Sequence, residues 1–430
     1  MRFPLLCTLA FFCTGISAAQ QLCDEAFFPS QYRTNDRWAM LAHQGKDGWL
    51  FGEMDWQVPQ RNLDSREHLQ QLVQAFKKQG TQVVMVDVPP RLPVHQNKLD
   101  PSRRPRPFSA QEYRNNYAAL HRELQKLGII APNLLEDALK YKAGPYFQKT
   151  DHHWTTEAAK HVAGLIAKEI LKLPAAKKIP GVPSTLKITR RPNNGSYARM
   201  ANTICNSGYK DEVINSYEAV EKQQGSLLGE VSPDVVVVGT SFSERHEYTT
   251  DNSFPETLKH ALQKDVLNAA VEGGGSFAAL EAYLMSETYQ KHRPRVLVWE
   301  NTFYNGEINN SWALWRLIPL VRGGCSSTVA WKGTGNLSRR LTIDLPRSLK
   351  LGKDYALKLQ FSDTRLLKFQ TTLDYAVGSV GLQTERSWRI PNNGEYYTLL
   401  VRPDPMERIT VHFEGSQPSG TYSAVLCKLK

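Results

Sequence analysis

Asp234-Val235-Val236-Val237-Val238-Gly239-Thr240-Ser241-Phe242-Ser243 is the stretch on which the fold turns. Four β-branched residues in succession leave no polar face. Such a strand is buried on both sides, as parallel sheets require. A glycine and small hydroxyl residues follow at once. Open α/β sheets hold their ligands there, beyond the carboxyl ends of the strands. Gly239 allows a tight turn that exposes Ser241 and brings backbone N–H groups near its oxygen. Thr240 and Ser241 are equally suited to capping a following helix. A serine hydroxyl is a weak nucleophile until a base takes its proton.

Working outward, the pattern repeats. Val266 to Val271 and Val296-Leu297-Val298-Trp299 read as further strands, with Gly273-Gly274-Gly275 as a turn. Residues 255–264 and 277–290 read as helices. Toward the N-terminus, Asp64 and Glu67 form a capping-box pattern before Leu69, Leu72, Val73 and Phe76 at helical spacing. Gly80 stops that helix, and Thr81 to Val88 is a buried strand ended by Pro89-Pro90. Ser109 and Glu112 cap a second helix carrying Tyr113, Tyr117, Leu120, Leu124 and Leu127, and Ile129-Ile130 begin a short extended piece. Thr155 or Thr156 opens a third, with Val162, Leu165, Ile166 and Ile170 on its apolar side. Strands alternating with helices over residues 60–300 predict a doubly wound α/β domain. Leu173 to Asn194, with four prolines and many basic residues, is expected to be an irregular loop.

After about residue 327 helical periodicity disappears. Leu341 to Leu345, Tyr355 to Phe361, Tyr396 to Val401 and Ile409 to Phe413 alternate or are rich in β-formers. They predict a small β-sandwich of roughly 100 residues. Gly323-Gly324 and Gly333-Gly335 flank the joint, so the expected domains are 20–326 and 327–430.

The chain has 430 residues with 41% hydrophobic and 22% charged, which excludes a disordered or fibrous protein. Residues 1–19 read as a signal peptide. Arg2 gives the positive start, Leu5 to Phe12 the apolar run and Ser17-Ala18-Ala19 the cleavage site. Bulky residues before Cys13 argue against lipid attachment. Four cysteines remain after cleavage: Cys23, Cys205, Cys325 and Cys427. None forms a C-x-x-C pair, and an even set in an exported chain suggests disulfides. Three pairings are possible; Cys23–Cys205 with Cys325–Cys427 follows if each domain is closed separately. The net charge is +11, spread along the chain without a nucleic-acid motif. That favours an acidic carbohydrate or a membrane surface over DNA.

Asp151-His152-His153-Trp154 lies just before the third helix. On an extended loop, residues two apart point to the same side. Asp151 is then placed to accept a hydrogen bond from one imidazole nitrogen of His153, leaving the other as a base, with His152 pointing away. Asp151 as a simple helix cap and the histidine pair as a metal site are the competing readings. Joined to Ser241, the two features form a more specific constellation than either alone.

D-x-H-W followed by G-T-S-x-S resembles the alginate O-acetyltransferases of the AlgX and AlgJ group, whose catalytic domain is SGNH-hydrolase-like. Gly45-Lys46-Asp47-Gly48-Trp49-Leu50-Phe51 and Val86-Asp87-Val88-Pro89-Pro90-Arg91 resemble further segments of that family. The Asp/His-before-Ser order, reversed from ordinary SGNH esterases, is shared with it. So are a C-terminal carbohydrate-binding β-domain and two disulfides, one per domain, in the AlgX branch. The resemblance implies Ser241 as nucleophile, His153 as base and Asp151 as its orienting carboxylate. It implies acetyl transfer to mannuronate hydroxyls in the periplasm, without a metal or dissociable cofactor. The expected partners are alginate or a similar acidic polysaccharide, an acetyl-donor system and export-complex proteins, with the chain itself a monomer. An esterase using the same residues and a polymer-binding scaffold are the rival functions.

Tyr248, Asn301 and Tyr304 are candidates for completing the oxyanion site beside the Ser241 N–H. In the β-domain, Arg386, Trp388, Arg389, Tyr396, Tyr397 and Arg402 are candidate polymer contacts. Aromatic faces suit sugar rings and guanidinium groups suit uronate carboxylates. Trp388 and one of the tyrosines are equally suited to the sandwich core.

Overall fold

The structure is a computed structural model and describes residues 22–430 apart from 104, 222–232, 245–252, 303–309, 347–348, 350, 353 and 416. The expected leader with its cleavage after Ala19 lies outside these residues.

Four strands form the central sheet in the order Gln82–Val88, Val296–Thr302, Val235–Val238, Leu267–Asn268, all parallel. Ile130 adds a parallel bridge to Val84 on the outer side. Successive side chains leave the sheet on opposite faces, and both faces are covered. Val236, Val238, Leu297 and Trp299 join a core with the helices Arg66–Lys78, Gly275–Met285 and Ser311–Val321. Val235, Val237, Val296 and Val298 join another with Thr156–Leu171 and Ser253–Leu262. This is the doubly wound sheet that the valine run predicts.

Local departures have local causes. The strand expected over Val266 to Val271 is regular only at Leu267–Asn268. Beyond it, Ala269 N–H still donates to Val237 O and Val271 N–H to Gly239 O, so the chain follows the sheet edge as a turn. The first helix starts at Arg66 behind Ser65, with no side-chain cap, so Asp64 and Glu67 do not form the expected box. Ser109 and Thr155 do cap their helices, accepting from Glu112 N–H and Ala158 N–H. The stretch expected to be irregular contains a strand, Ser184–Asn193, paired antiparallel with Glu212–Glu221. Three of its prolines precede the strand. Pro192 fits within it because a two-stranded ribbon has free edges that need no N–H.

The C-terminal part is a sandwich of two antiparallel four-stranded sheets. One runs Arg340–Asp344, Met406–Phe413, Lys368–Tyr375, Gly378–Glu385. The other runs Glu395–Leu399, Tyr355–Phe361, Thr421–Leu429, Cys325–Asn336. Phe361, Phe369, Phe413 and Tyr396 lie at its centre. Tyr397 and Leu399 face the other way, into the core that holds the Ser311–Val321 helix, so sandwich and α/β sheet share apolar packing. Disulfides join Cys23 to Cys205 and Cys325 to Cys427. Among the described residues no helix is long and apolar enough to cross a membrane.

Candidate active site

The Asp151-His152-His153-Trp154 segment is the turn of a small hairpin. Phe147 bridges Trp154, Gln148 N–H donates to His153 O, and Thr155 N–H donates to Tyr146 O. Burial pushes the His95 imidazole down to about 3, so it stays neutral and its Nε2 accepts from Phe147 N–H at 3.0 Å. The turn rests on the N-terminus of the Ser196–Cys205 helix. Ser196 N–H and its hydroxyl donate to the two Asp151 carboxylate oxygens at 3.2 and 3.3 Å. Tyr197 N–H and Ala198 N–H both donate to Thr150 O. A helix N-terminus favours negative charge, so the buried Asp151 carboxylate sits where the backbone helps it remain ionised. Gly195 lets this helix approach, because a Cβ there would lie 2.3 Å from Thr150 O.

Asp151 Oδ1 lies 2.6 Å from His153 Nδ1 and also accepts His153 N–H at 3.0 Å. His153 Nε2 lies 2.8 Å from Ser241 Oγ. For Nε2 to accept a proton, Nδ1 must carry one, and the carboxylate beside it fixes that tautomer. His152 does not point away as the extended-loop reading expects. The segment is a tight turn, so the alternation of an extended chain does not apply. The two imidazoles lie 3.7 Å apart, His152 Nδ1 pairs with Ser196 Oγ at 2.8 Å, and His152 lines the same cleft. Ligand atoms of Asp151, His152 and His153 all fall within 4.8 Å of one another, spacing that suits a metal. His152 Nδ1 and His153 Nε2 are each engaged by a serine hydroxyl, Ser196 and Ser241.

Ser241 follows the Val235–Val238 strand at its carboxyl end. Thr240 O accepts Ser243 N–H and Glu244 N–H, closing the turn. Gly239 is needed for close approach: a Cβ would stand 2.5 Å from a carboxylate oxygen of Glu300. From the other side, Trp154 Nε1–H donates to Phe242 O, and the His153 ring packs 4.7 Å from the Phe242 ring. The two loops brace each other.

Two further motifs act behind the turn. Arg91, from the Val86–Arg91 segment, is 2% exposed. Its guanidinium donates to Leu50 O at 2.6 Å and to Gln148 O and Lys149 O at 2.7 and 3.1 Å. Trp49, Phe51 and Tyr197 pack their rings about it. Thus Gly45–Phe51 and Val86–Arg91 meet on the chain immediately before Thr150-Asp151. Asp55, at 3.4 Å, is the counter-charge; burial pushes its carboxyl up, with Arg91 opposing.

His153 and Ser241 open into a cleft of about 1170 Å³. The sandwich loop carrying Trp388 and Arg389 and the turn Gly273 to Gly275 also line it. The Arg389 guanidinium stacks on Trp388 at 4.4 Å and sits where a Gly273 side chain would project. Trp388 is 73% exposed and so is not sandwich core.

Other candidates fare differently. Arg386 and Tyr396 present no surface to a polymer. Arg386 is buried, donating to Glu281 Oε1 through Nε and Nη2 at 3.1 and 3.0 Å, with its guanidinium 4.0 Å over Tyr396. Tyr397 is also buried. Arg402 lies over Tyr375 and does not line the cleft. Asn301 does not line it either; its amide donates to Asp87 at 3.0 Å within the sheet. Tyr248 and Tyr304 lie outside the described residues. Sequence reasoning missed Arg33, Arg37, Trp38 and Arg199, which line the cleft from the N-terminal segment and the Ser196–Cys205 helix. No spacing in that N-terminal stretch carries such a signal, because its position is set by the Cys23–Cys205 disulfide. It also missed Ser196 and Glu300, which reach the site only through the tertiary fold.

A doubly wound parallel sheet with a serine at a strand's carboxyl edge, followed by an antiparallel sandwich, defines an SGNH-hydrolase-like protein with an appended β-domain. The family model described as "SGNH hydrolase-like domain, acetyltransferase AlgX" matches residues 42–302, and the chain belongs to that family. Alginate biosynthesis protein AlgX of Pseudomonas putida is 27% identical over 95% of this chain and 89% of its own length. That of Pseudomonas aeruginosa is 26% identical over 89% and 82%. The probable alginate O-acetylase AlgJ of Pseudomonas fluorescens is 27% identical over 64% of this chain and 73% of its own. Among solved structures, Pseudomonas aeruginosa AlgX shares the fold with a TM-score of 0.80 at 24% identity, covering 95% of this chain and all of that one. The O-acetyltransferase domain of Pseudomonas putida AlgJ gives 0.52 at 21%, covering 63% and 99%.

Proposed function

We propose that this chain is a periplasmic alginate O-acetyltransferase that works through an acetyl-Ser241 intermediate. The observation that carries the proposal is the continuous path from Asp151 Oδ1 through both nitrogens of His153 to Ser241 Oγ at the floor of the cleft. His153 Nε2 takes the serine proton as Oγ attacks the acetyl carbonyl of a donor. The donor's leaving group departs with that proton, and acetyl-Ser241 remains. A mannuronate hydroxyl then gives its proton to His153 and attacks the acetyl carbon. The Ser241 Oγ–C bond breaks, and the serine regains the proton. Asp151 stabilises the imidazolium in both halves. The Ser241 N–H is the proposed oxyanion donor.

A cleft walled by arginines and an exposed tryptophan suits an acidic polymer. The disulfides fit an oxidising compartment. An acetyl-donor system and export-complex proteins are the proposed partners. The test is mass spectrometry of deacetylated polymannuronate incubated with an artificial acetyl donor. The wild type is expected to add acetyl groups to the polymer, and Ser241→Ala to add none. Loss of acetyl groups from acetylated polymer, with no gain on the deacetylated one, would make the chain an esterase. Unchanged acetylation by Ser241→Ala would remove the serine from the chemistry.

A further inference from the structure

One buried acid stands directly beneath the serine turn, and the mechanism above does not use it. Glu300 lies on the Val296–Thr302 strand, next to the strand that delivers Ser241. It is wholly buried. Its Oε2 accepts Thr240 N–H at 2.6 Å, and the Thr240 hydroxyl donates to Oε1 at 2.9 Å. That hydroxyl in turn accepts Phe242 N–H at 3.3 Å. The residues before and after Ser241 are therefore tied to one carboxylate. Gly239 completes the fit, since any side chain there would collide with Glu300.

We infer that Glu300 is a positioning residue for the proposed nucleophile: its ionised carboxylate holds the Thr240–Phe242 turn so that Ser241 Oγ meets His153. The inference rests on the reading of Ser241 as the acetylated residue. Two donors from Thr240 converge on the carboxylate, which suits an acceptor-only group. In a protonated carboxyl or an amide the Thr240 hydroxyl must turn round and accept at one position, so the carboxylate loses the donation it receives there.

The acid is held against its own desolvation. Burial raises its pKa to about 7, with the Thr240 N–H and hydroxyl opposing the rise and the Asp87 charge adding to it. Asp87 lies on the neighbouring strand opposite Asn301, not opposite Glu300, and is itself bonded by His121 Nε2 at 3.2 Å and by Asn301. Among the described residues Glu300 forms no ion pair. Its folded pKa exceeds the ordinary carboxylate value, so the folded state holds the proton more tightly than the unfolded chain. Stability conferred by the neutral form is then lost as pH rises from about 4.5 through about 7. The ionised state that sets the serine turn is the one that costs fold stability.

The experiment follows the burst of an aryl acetate on the full-length chain, together with Tm, from about pH 5 to about pH 8.5. Glu300→Gln is expected to acetylate Ser241 on the order of 10–100-fold more slowly at the alkaline end. Its rate should rise less steeply between about pH 6 and 8 than that of the wild type. Its Tm should gain on the wild type as pH rises, because the amide does not titrate; the flattened pH profile of the rate is the readout that a purely structural acid would not move. A folded Glu300→Gln with the wild-type burst rate and pH profile overturns the inference. If Glu300→Gln does not fold, Thr240→Val against Thr240→Ser decides: slow acetylation by the valine variant and rescue by serine support the inference, and equal rates overturn it. Ser241→Ala runs in parallel. A full burst from Ser241→Ala would overturn the nucleophile reading and, with it, the role given to Glu300. A burst lost in Ser241→Ala but unchanged in Glu300→Gln would overturn the Glu300 inference alone.

Discussion

One cleft is lined both by a histidine that is 5% exposed and by a tryptophan that is 73% exposed. His153 sits on a hairpin turn that rests on a helix N-terminus, and Ser241 on a turn at the carboxyl end of a parallel strand. The polar partners that orient them are buried: Asp151, Ser196, Thr240 and Glu300. Trp388 sits on a sandwich loop and contacts chiefly its neighbour Arg389. The loop is held from behind by Arg386, whose guanidinium crosses into the α/β part to reach Glu281, with Arg316 at 3.4 Å from the same carboxylate. One wall fixes atoms to tenths of an ångström for bond making. The other presents an aromatic face and a cation that a flexible polymer can meet in more than one way. On the proposed function, the groups for chemistry are preorganised and the groups for recognition are clamped only at their base.

The contrast can be broken most severely on the chemical side. Asp151→Asn preserves shape but offers an amide to His153 Nδ1, favouring the wrong tautomer. The expected loss is about 10²–10⁴ in the rate of Ser241 acetylation with little change in polymer affinity, read by burst kinetics. The next effect falls on the clamp. Arg386→Ala leaves Glu281 buried with a weaker partner, so about 3–5 kcal/mol of unfolding free energy should be lost in urea titration. KM for polymer should rise while acetylation by a small ester is retained. Because Arg316 shares the Glu281 carboxylate, recovery of most of the stability should need the triple replacement Arg386→Met, Glu281→Met and Arg316→Met. Replacing both Cys325 and Cys427 by alanine removes closure of a roughly 100-residue loop and should cost about 4–5 kcal/mol in the chain-entropy picture, seen as a fall in Tm. Smallest is Trp388→Ala. An exposed side chain carries little fold stability, so Tm should hold. Loss of one ring contact of about 1–3 kcal/mol would raise polymer KM on the order of 10-fold. A matching fall in kcat on a small ester would erase the distinction between the walls.

Much of this was legible in the amino-acid order because it is periodic or local. Val235–Val238 and Val296–Trp299 are apolar on both faces, and only a covered parallel sheet accommodates them. Ser109 and Thr155 declare their caps by type and spacing. Asp151 and His153 are two residues apart, so their contact is local, although the tight turn also brings His152 into the cleft. What stayed hidden depends on distant chain. Arg386 and Trp388 alternate in a β-rich stretch, and no pattern says which is swallowed by a domain interface. Both are candidate polymer contacts by sequence, and Arg386 is buried because its partner Glu281 lies more than a hundred positions away. Ser184–Asn193 looked irregular because its prolines mask a ribbon whose partner strand comes later. Arg33, Arg37 and Trp38 reach the cleft only because the N-terminal segment folds against the Ser196–Cys205 helix and is tied there by Cys23–Cys205.

The central claim is that a serine carries the acetyl group between donor and polymer. It is tested most directly by trapping the protein after brief exposure to an artificial acetyl donor without polymer, then mapping the modified peptide by tandem mass spectrometry. The account predicts one acetyl ester on Ser241, discharged on addition of polymannuronate and absent from His153→Ala. An acetyl group found on another side chain, or polymer acetylated at full rate while Ser241 is never modified, would contradict it.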